Sequence, residues 1–239
     1  MNTTPPTACP AWAQLAVQAA RLRALPLAEL FAQDPQRAQR FAAVGAGVRL
    51  EDSRQRVDER VMQLLLQLAA QRGLPEWRAA LFDGEPINTT EQRAAGHTAL
   101  RAGAAAPAQV QATLERMRAL ARRLRGEGRI RRIVHLGTGG SALGPQLVVD
   151  ALGGRGADFE VAFAANIDPL DLERALAGAH PAQTLFVVVS KTFTTEETLA
   201  NARAALRWLA GRDVAQHFIA VTGNEAAARA FGITEVLPL

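Results

Sequence analysis

The sequence predicts an α/β protein: a parallel sheet with helices on both faces, preceded by a mainly helical region. Two observations carry this. From residue 129 onward, short apolar runs alternate with helical patterns at spacings of about 25 to 32 residues, the rhythm of successive β-α units. Before that point, apolar residues recur mainly at helical spacing. A third observation bears on function. Two of the strand-to-helix junctions are rich in glycine or in hydroxyls, and junctions of that kind hold anions.

The first region is read from its periodicity and its breakers. Residues 1–10 are polar and proline-rich and read as a frayed terminus. Trp12, Leu15, Ala19, Leu22 and Leu25 mark a helix that Pro26 stops, and residues 27–31 start a second. Asp34 before Pro35 caps a short third helix that runs to Phe41. Residues 44–50, with Gly45 and Gly47, read as a short strand or loop. Val57, Val61, Leu64, Leu65 and Leu68 form one apolar stripe, ended by Gly73 and Pro75. Asp83-Gly84 is a turn. Asn88 with Glu91, or Thr89 with Gln92, offers a capping box for a helix carrying Arg93, His97 and Arg101. A small-residue connector at 102–107 places a boundary there, giving a helical region over 1–105 and an α/β domain over 106–239.

The second region opens with an amphipathic helix over 110–125. Strands follow at 133–136, 159–163, 185–189 and 218–221, with a fifth at 235–237. Helices at 141–152, 169–176, 194–209 and 224–231 alternate with them. Strands this short and apolar are buried on both faces, and their crossovers are right-handed.

Composition excludes several classes. With 49% hydrophobic and 21% charged residues, the 239-residue chain can bury a real core. No apolar run approaches the roughly 20 residues of a membrane span. No secretory leader is visible, and Cys9 as the single cysteine cannot form an internal disulfide, which together fit the cytoplasm. Arg122, Arg123, Arg125, Arg129, Arg131 and Arg132 cluster. No aromatic residue interleaves with them, so they read as a solvated helix end and no nucleic-acid partner is expected.

The candidate chemistry lies in two loops. The first strand runs into Leu136-Gly137-Thr138-Gly139-Gly140-Ser141-Ala142-Leu143-Gly144-Pro145. Its glycines let the backbone approach an anion, and the helix that follows supplies free N–H groups and a positive dipole end. The third strand runs into Ser190-Lys191-Thr192-Phe193-Thr194-Thr195, where hydroxyls replace the glycines. Lys191 is the only lysine; all other basic residues counted among the 27 are arginine. That marks a place for a compact point charge in preference to a planar fork. In a parallel sheet both loops lie at the C-terminal edge, where ligands bind near a switch point. Together they predict a phosphate pocket. Gly137, Gly139 and Ala142 also fit a loose dinucleotide fingerprint, with Asp168 as the acid, but that spacing is long and leaves the hydroxyl loop unexplained.

These two loops, with Gly84-Glu85-Pro86-Ile87-Asn88-Thr89-Thr90-Glu91-Gln92-Arg93-Ala94 and Asn166-Ile167-Asp168, resemble the glucose-6-phosphate isomerase family over roughly residues 75–235. The resemblance implies the sugar-isomerase αβα sandwich. It implies that Gly140 and Ser141 contact substrate and that Ser190, Lys191, Thr192 and Thr195 surround its phosphate. The implied reaction interconverts glucose 6-phosphate and fructose 6-phosphate through an enediol, in glycolysis and gluconeogenesis, by a cytoplasmic homodimer without a cofactor or metal.

Thr138 and Ala142 depart from the family's usual Ile and Asp. Family members are also about twice this length. Their glutamate base, ring-opening histidine and late lysine fall beyond Leu239, so the resemblance assigns no catalytic residue here, and the α/β domain is expected to be incomplete at its C-terminal end. Glu196, Glu197, His135, His180 and His217 match no catalytic position, and His135 reads as a core or loop-anchoring histidine. The expectation is an isomerase fragment with the phosphate site and little activity of its own. The alternative is a non-catalytic sugar-phosphate-binding regulatory module.

Overall fold

The computed structural model describes residues 4–153 and 158–239. The chain divides into two compact units between Gly103 and Ala104. Residues 1–3 of the expected frayed terminus lie outside the described residues. The rest of that stretch is ordered into a 3-10 turn at Pro6–Ala8, and Cys9 is buried.

The N-terminal unit contains α1 (Pro10–Arg23), α2 (Leu27–Gln33), α3 (Arg37–Arg40), the hairpin β1 (Ala42–Gly45) and β2 (Val48–Glu51), α4 (Glu59–Gln71) and α5 (Leu74–Asp83). Its core joins Leu22, Leu30 and Val61 to Leu15, Leu25, Leu27 and Val57. Asp58 caps α4 by accepting from the Val61 amide at 2.9 Å. The ambiguous 44–50 stretch resolves as the hairpin. Ala46 and Gly47 both take positive φ, the twist a two-residue turn needs.

Two expected helix starts fail in this unit. Asp34 does not cap α3, which begins at Arg37 after Gln36; its Oδ1 accepts from the Gln36 amide at 3.2 Å in the turn before the helix. Residues 88–101 do not form a capped α-helix. Asn88 Oδ1 does accept from the Glu91 amide at 3.2 Å, as a cap would. The backbones of Asn88 and Arg93 then pair as an antiparallel bridge, and a 3-10 helix spans Gly96–Arg101. An Asx turn and a helix cap begin with the same local bond; what is missing afterwards is an apolar stripe to bury.

The second unit begins with α6 (Ala108–Glu127). It continues as β3 (Arg132–Leu136), α7 (Gly140–Leu152), β4 (Glu160–Ala164), α8 (Pro169–Leu176), β5 (Thr184–Val189), α9 (Glu196–Trp208), α10 (Val214–His217), β6 (Phe218–Thr222), α11 (Glu225–Ala230) and β7 (Glu235–Pro238). All five strands are parallel, in the order β4-β3-β5-β6-β7. On one face Val134, Leu136, Phe186, Val188, Phe218 and Ala220 pack against α8, α9 and α11. On the other, Ile133, Leu185 and Ile219 pack with Leu120 and Leu124 of α6. The alternation along each strand therefore fills both layers, as buried parallel strands require. Leu143, Leu147, Val148 and Leu152 give α7 an outward apolar side.

The arginine cluster is engaged within this unit. Arg122 pairs with Glu115 at 2.7 Å and Arg125 with Asp158 at 2.6 Å. Arg132 donates to the Ala175 and Ala177 carbonyls and pairs with Glu160. No helix among the described residues is long and apolar enough to cross a membrane.

Candidate functional site

The strand order places the two loops side by side. After β3 the chain steps outward to β4, then returns to the opposite side of β3 as β5. The switch point thus lies between β3 and β5, and it is flanked by the 137–141 and 190–195 loops at the C-terminal edge. The first loop also touches the helix that follows the second: Thr138 Oγ1 lies 3.4 Å from Thr198 Oγ1, which is buried in the first turn of α9.

The glycine loop has little choice of sequence. Gly139 has φ 55° and ψ −125°, a conformation that side chains rarely adopt. A Cβ on Gly137 would come within 2.9 Å of the Ser141 carbonyl oxygen. Gly140 is exposed and Ser141 half-buried at the start of α7.

The hydroxyl loop is bound from below and from one side. Phe193 takes positive φ, 55°, and sends its ring into the core, 6.1 Å from the Phe231 ring and edge-on to it. From the β6 end, the Gly223 amide and the Thr222 hydroxyl donate to the Lys191 carbonyl at 2.9 and 3.2 Å. Asn224 Nδ2 donates to the Thr192 carbonyl at 3.1 Å. Above this frame the hydroxyls face one another. Ser190 Oγ is 3.0 Å from Thr195 Oγ1, and Thr192 Oγ1 is 2.6 Å from Thr194 Oγ1. Ser190 is buried, Thr195 half-buried, and Lys191 and Thr192 are exposed. Thr195 precedes the first residue of α9, so the helix's positive end points into the same space.

The model of the phosphoglucose isomerase family matches residues 51–237. The chain belongs to the phosphoglucose isomerase family. Similar proteins include the glucose-6-phosphate isomerases of Anaeromyxobacter sp. (strain K), 45% identical over 97% of this chain and 46% of the relative, and of Aromatoleum aromaticum, 48% identical over 99% and 47%. The crystal structure of a glucose-6-phosphate isomerase from Chlamydia trachomatis D/UW-3/Cx superposes with a TM-score of 0.73 at 28% identity, covering 98% of this chain and 48% of that one. The chain spans about half the length of the curated relatives it matches.

In this chain, several residues that shape the candidate site escape a reading of motifs. Phe193 had one signal, a lone aromatic among hydroxyls. Thr222, Gly223 and Asn224 had none, because their role is to hold another loop's backbone. The β4 loop is fixed likewise: Asp171 accepts from the Ala165 and Asn166 amides at 2.7 and 3.0 Å, and buried Asn201 of α9 donates to the Asn166 carbonyl at 2.7 Å. Asp168, the acid of the dinucleotide reading, caps α8 by accepting from Leu170.

A cavity of about 230 Å³ opens at the opposite, N-terminal edge of the strands, beside Leu185, Phe218 and Ile219. Its arginines are committed: Arg123 to Glu127 and Glu235, and Arg129 to the Ala182 and Gln216 carbonyls. Among the described residues, no group of three His, Cys, Asp or Glu could hold a metal.

His135 lies in β3 directly below the glycine loop, with Nε2 2.7 Å from the Ser141 carbonyl. Burial lowers its pKa below the ordinary 6.5, and the bond to Ser141 opposes that shift. The unfolded chain therefore takes up this proton at higher pH than the folded chain does. Stability from His135 is present above pH 6.5 and is lost as pH falls through the folded-state value. Denaturation midpoints followed from neutral to acid pH should fall more steeply for the unaltered chain than for His135→Gln. Parallel curves would contradict this.

Proposed function

We propose that this chain is the phosphate-holding part of a glucose-6-phosphate isomerase. The carrying observation is the pair of glycine-rich and hydroxyl-rich loops on either side of the switch point, with Thr138 of the first touching Thr198 of the helix that follows the second. In this reading residues 106–239 form the phosphosugar domain and residues 1–105 a helical N-terminal domain. Ser190, Lys191, Thr192 and Thr195, with the α9 amides, receive the phosphate. The observed hydroxyl pairs open to donate to its oxygens, which is a modest cost against charge-assisted bonds. Gly140 and Ser141 line the sugar side.

Phosphate binding is remote from the bonds that change. Its energy holds the open-chain sugar in position so that a base can move a proton between C2 and C1. The family resemblance assigns that base, the ring-opening histidine and the charge-stabilising group to none of residues 1–239. The working protein would be a cytoplasmic homodimer, and the apolar outer side of α7 supports assembly.

Calorimetric titration of the 239-residue chain with glucose 6-phosphate should give saturable binding. A coupled assay of this 239-residue polypeptide should show isomerisation at least about a thousandfold slower than a full-length relative, as expected when none of the residues assayed is assigned to acid–base transfer. Absence of binding, or rapid conversion by this chain alone, would contradict the proposal.

A further inference from the structure

The start of α7 has an internal fault that the rest of the structure repairs. In an α-helix each carbonyl accepts from the amide four residues on. For Ser141 that residue is Pro145, inside α7, which has no N–H and whose ring crowds the same carbonyl. The Ser141 carbonyl is thereby deprived of its helical donor at the point where the helix meets the candidate site.

His135 supplies a donor from the strand below. Its Nε2 lies 2.7 Å from the Ser141 oxygen, and because a carbonyl only accepts, the proton is on Nε2. The imidazole is braced from β4 by the Phe163 ring, 5.1 Å away. The same carbonyl oxygen is packed so closely on Gly137 that no side chain fits there. Imidazole, carbonyl, glycine and proline therefore form one interlocked unit.

We propose that His135 is a positioning residue for the glycine loop: its Nε2–H replaces the missing Pro145 amide, fixes the Ser141 carbonyl, and so sets the Gly139–Gly140 turn and the Ser141 hydroxyl. Its consequence for ligand binding rests on the reading that Gly140 and Ser141 face a sugar phosphate; its consequence for the loop does not.

The arrangement can be broken and repaired in two independent ways. His135→Leu removes the donor. His135→Gln keeps an amide donor at similar reach. His135→Leu combined with Pro145→Ala returns a backbone N–H to the Ser141 carbonyl. Amide hydrogen exchange over residues 138–143 of the ligand-free 239-residue chain is the first readout, and the Kd for glucose 6-phosphate the second. His135→Leu should raise exchange in this loop about tenfold and weaken binding about tenfold, as expected for an orphaned carbonyl. His135→Gln and the double variant should each recover to within about threefold, a coupling that a merely space-filling residue would not show.

Unchanged loop exchange in His135→Leu, or failure of Pro145→Ala to restore it, would overturn the proposal. If His135→Leu does not fold, His135→Gln against His135→Asn carries the same comparison, because Asn is polar but too short to reach. A Kd that is also insensitive to Ser190→Ala with Lys191→Ala would overturn the phosphosugar reading, while ligand-free exchange would still decide the role of His135.

Discussion

Replacing Arg37 by alanine should lower the stability of the N-terminal unit by about 3–5 kcal/mol, the combined effect of a cavity and several orphaned carbonyls. Arg37 is 2% exposed. Its Nε donates to the Ser53 carbonyl at 2.7 Å, and one terminal nitrogen donates to Gln55 and Val57 at 2.8 and 2.7 Å. The guanidinium also lies over the Phe41 ring at 4.7 Å and near Phe31 at 5.7 Å. One side chain thus ties α3 to the segment leading into α4. Arg37→Lys should recover little, since an ammonium cannot reproduce the planar fork or the stacking. Urea denaturation followed by circular dichroism measures the effect. A loss under about 1 kcal/mol for Arg37→Ala would show that the carbonyls find other donors.

Arg37 also shows what a sequence hides. Among so many arginines, nothing in the chain marks this one as buried. Its partners are backbone carbonyls, which carry no residue signature. The sheet was legible for the opposite reason. Val134, Phe186, Val188 and Phe218 belong to runs whose two faces are both apolar, and the glycines and prolines between them punctuate each unit. The strands accordingly fall within a residue or two of their expected bounds. Residues 88–101 were misread because Asn88 makes the first bond of a helix cap without an amphipathic helix behind it.

The two loops were likewise visible, since glycine and hydroxyl runs at strand ends have a direct physical use. Their supports were not. Phe193, Gly223 and Asn224 act by holding the backbone of the hydroxyl loop, and His135 acts by replacing an amide that Pro145 lacks. Such roles depend on which residues the strand order brings together, and β5 reaches the side of β3 only after a crossover from β4. Sequence order alone does not state that adjacency.

The central claim is that the hydroxyl loop receives the phosphate of a hexose. In the proposed site Lys191 would contribute the charge, and Ser190 a buried hydroxyl beside Thr195. Charge-assisted hydrogen bonds contribute about 1.5–3 kcal/mol each, so removing both groups should weaken binding by at least about a hundredfold. The fold should survive, because the loop's backbone is held by Phe193 from within and by Thr222, Gly223 and Asn224 from β6. The most direct measurement is calorimetric titration of glucose 6-phosphate into the 239-residue chain and into its Ser190→Ala, Lys191→Ala variant, with circular dichroism to confirm equal folding. Saturable binding that is lost in the folded variant is the expected result; an affinity that the double substitution leaves unchanged would contradict the site.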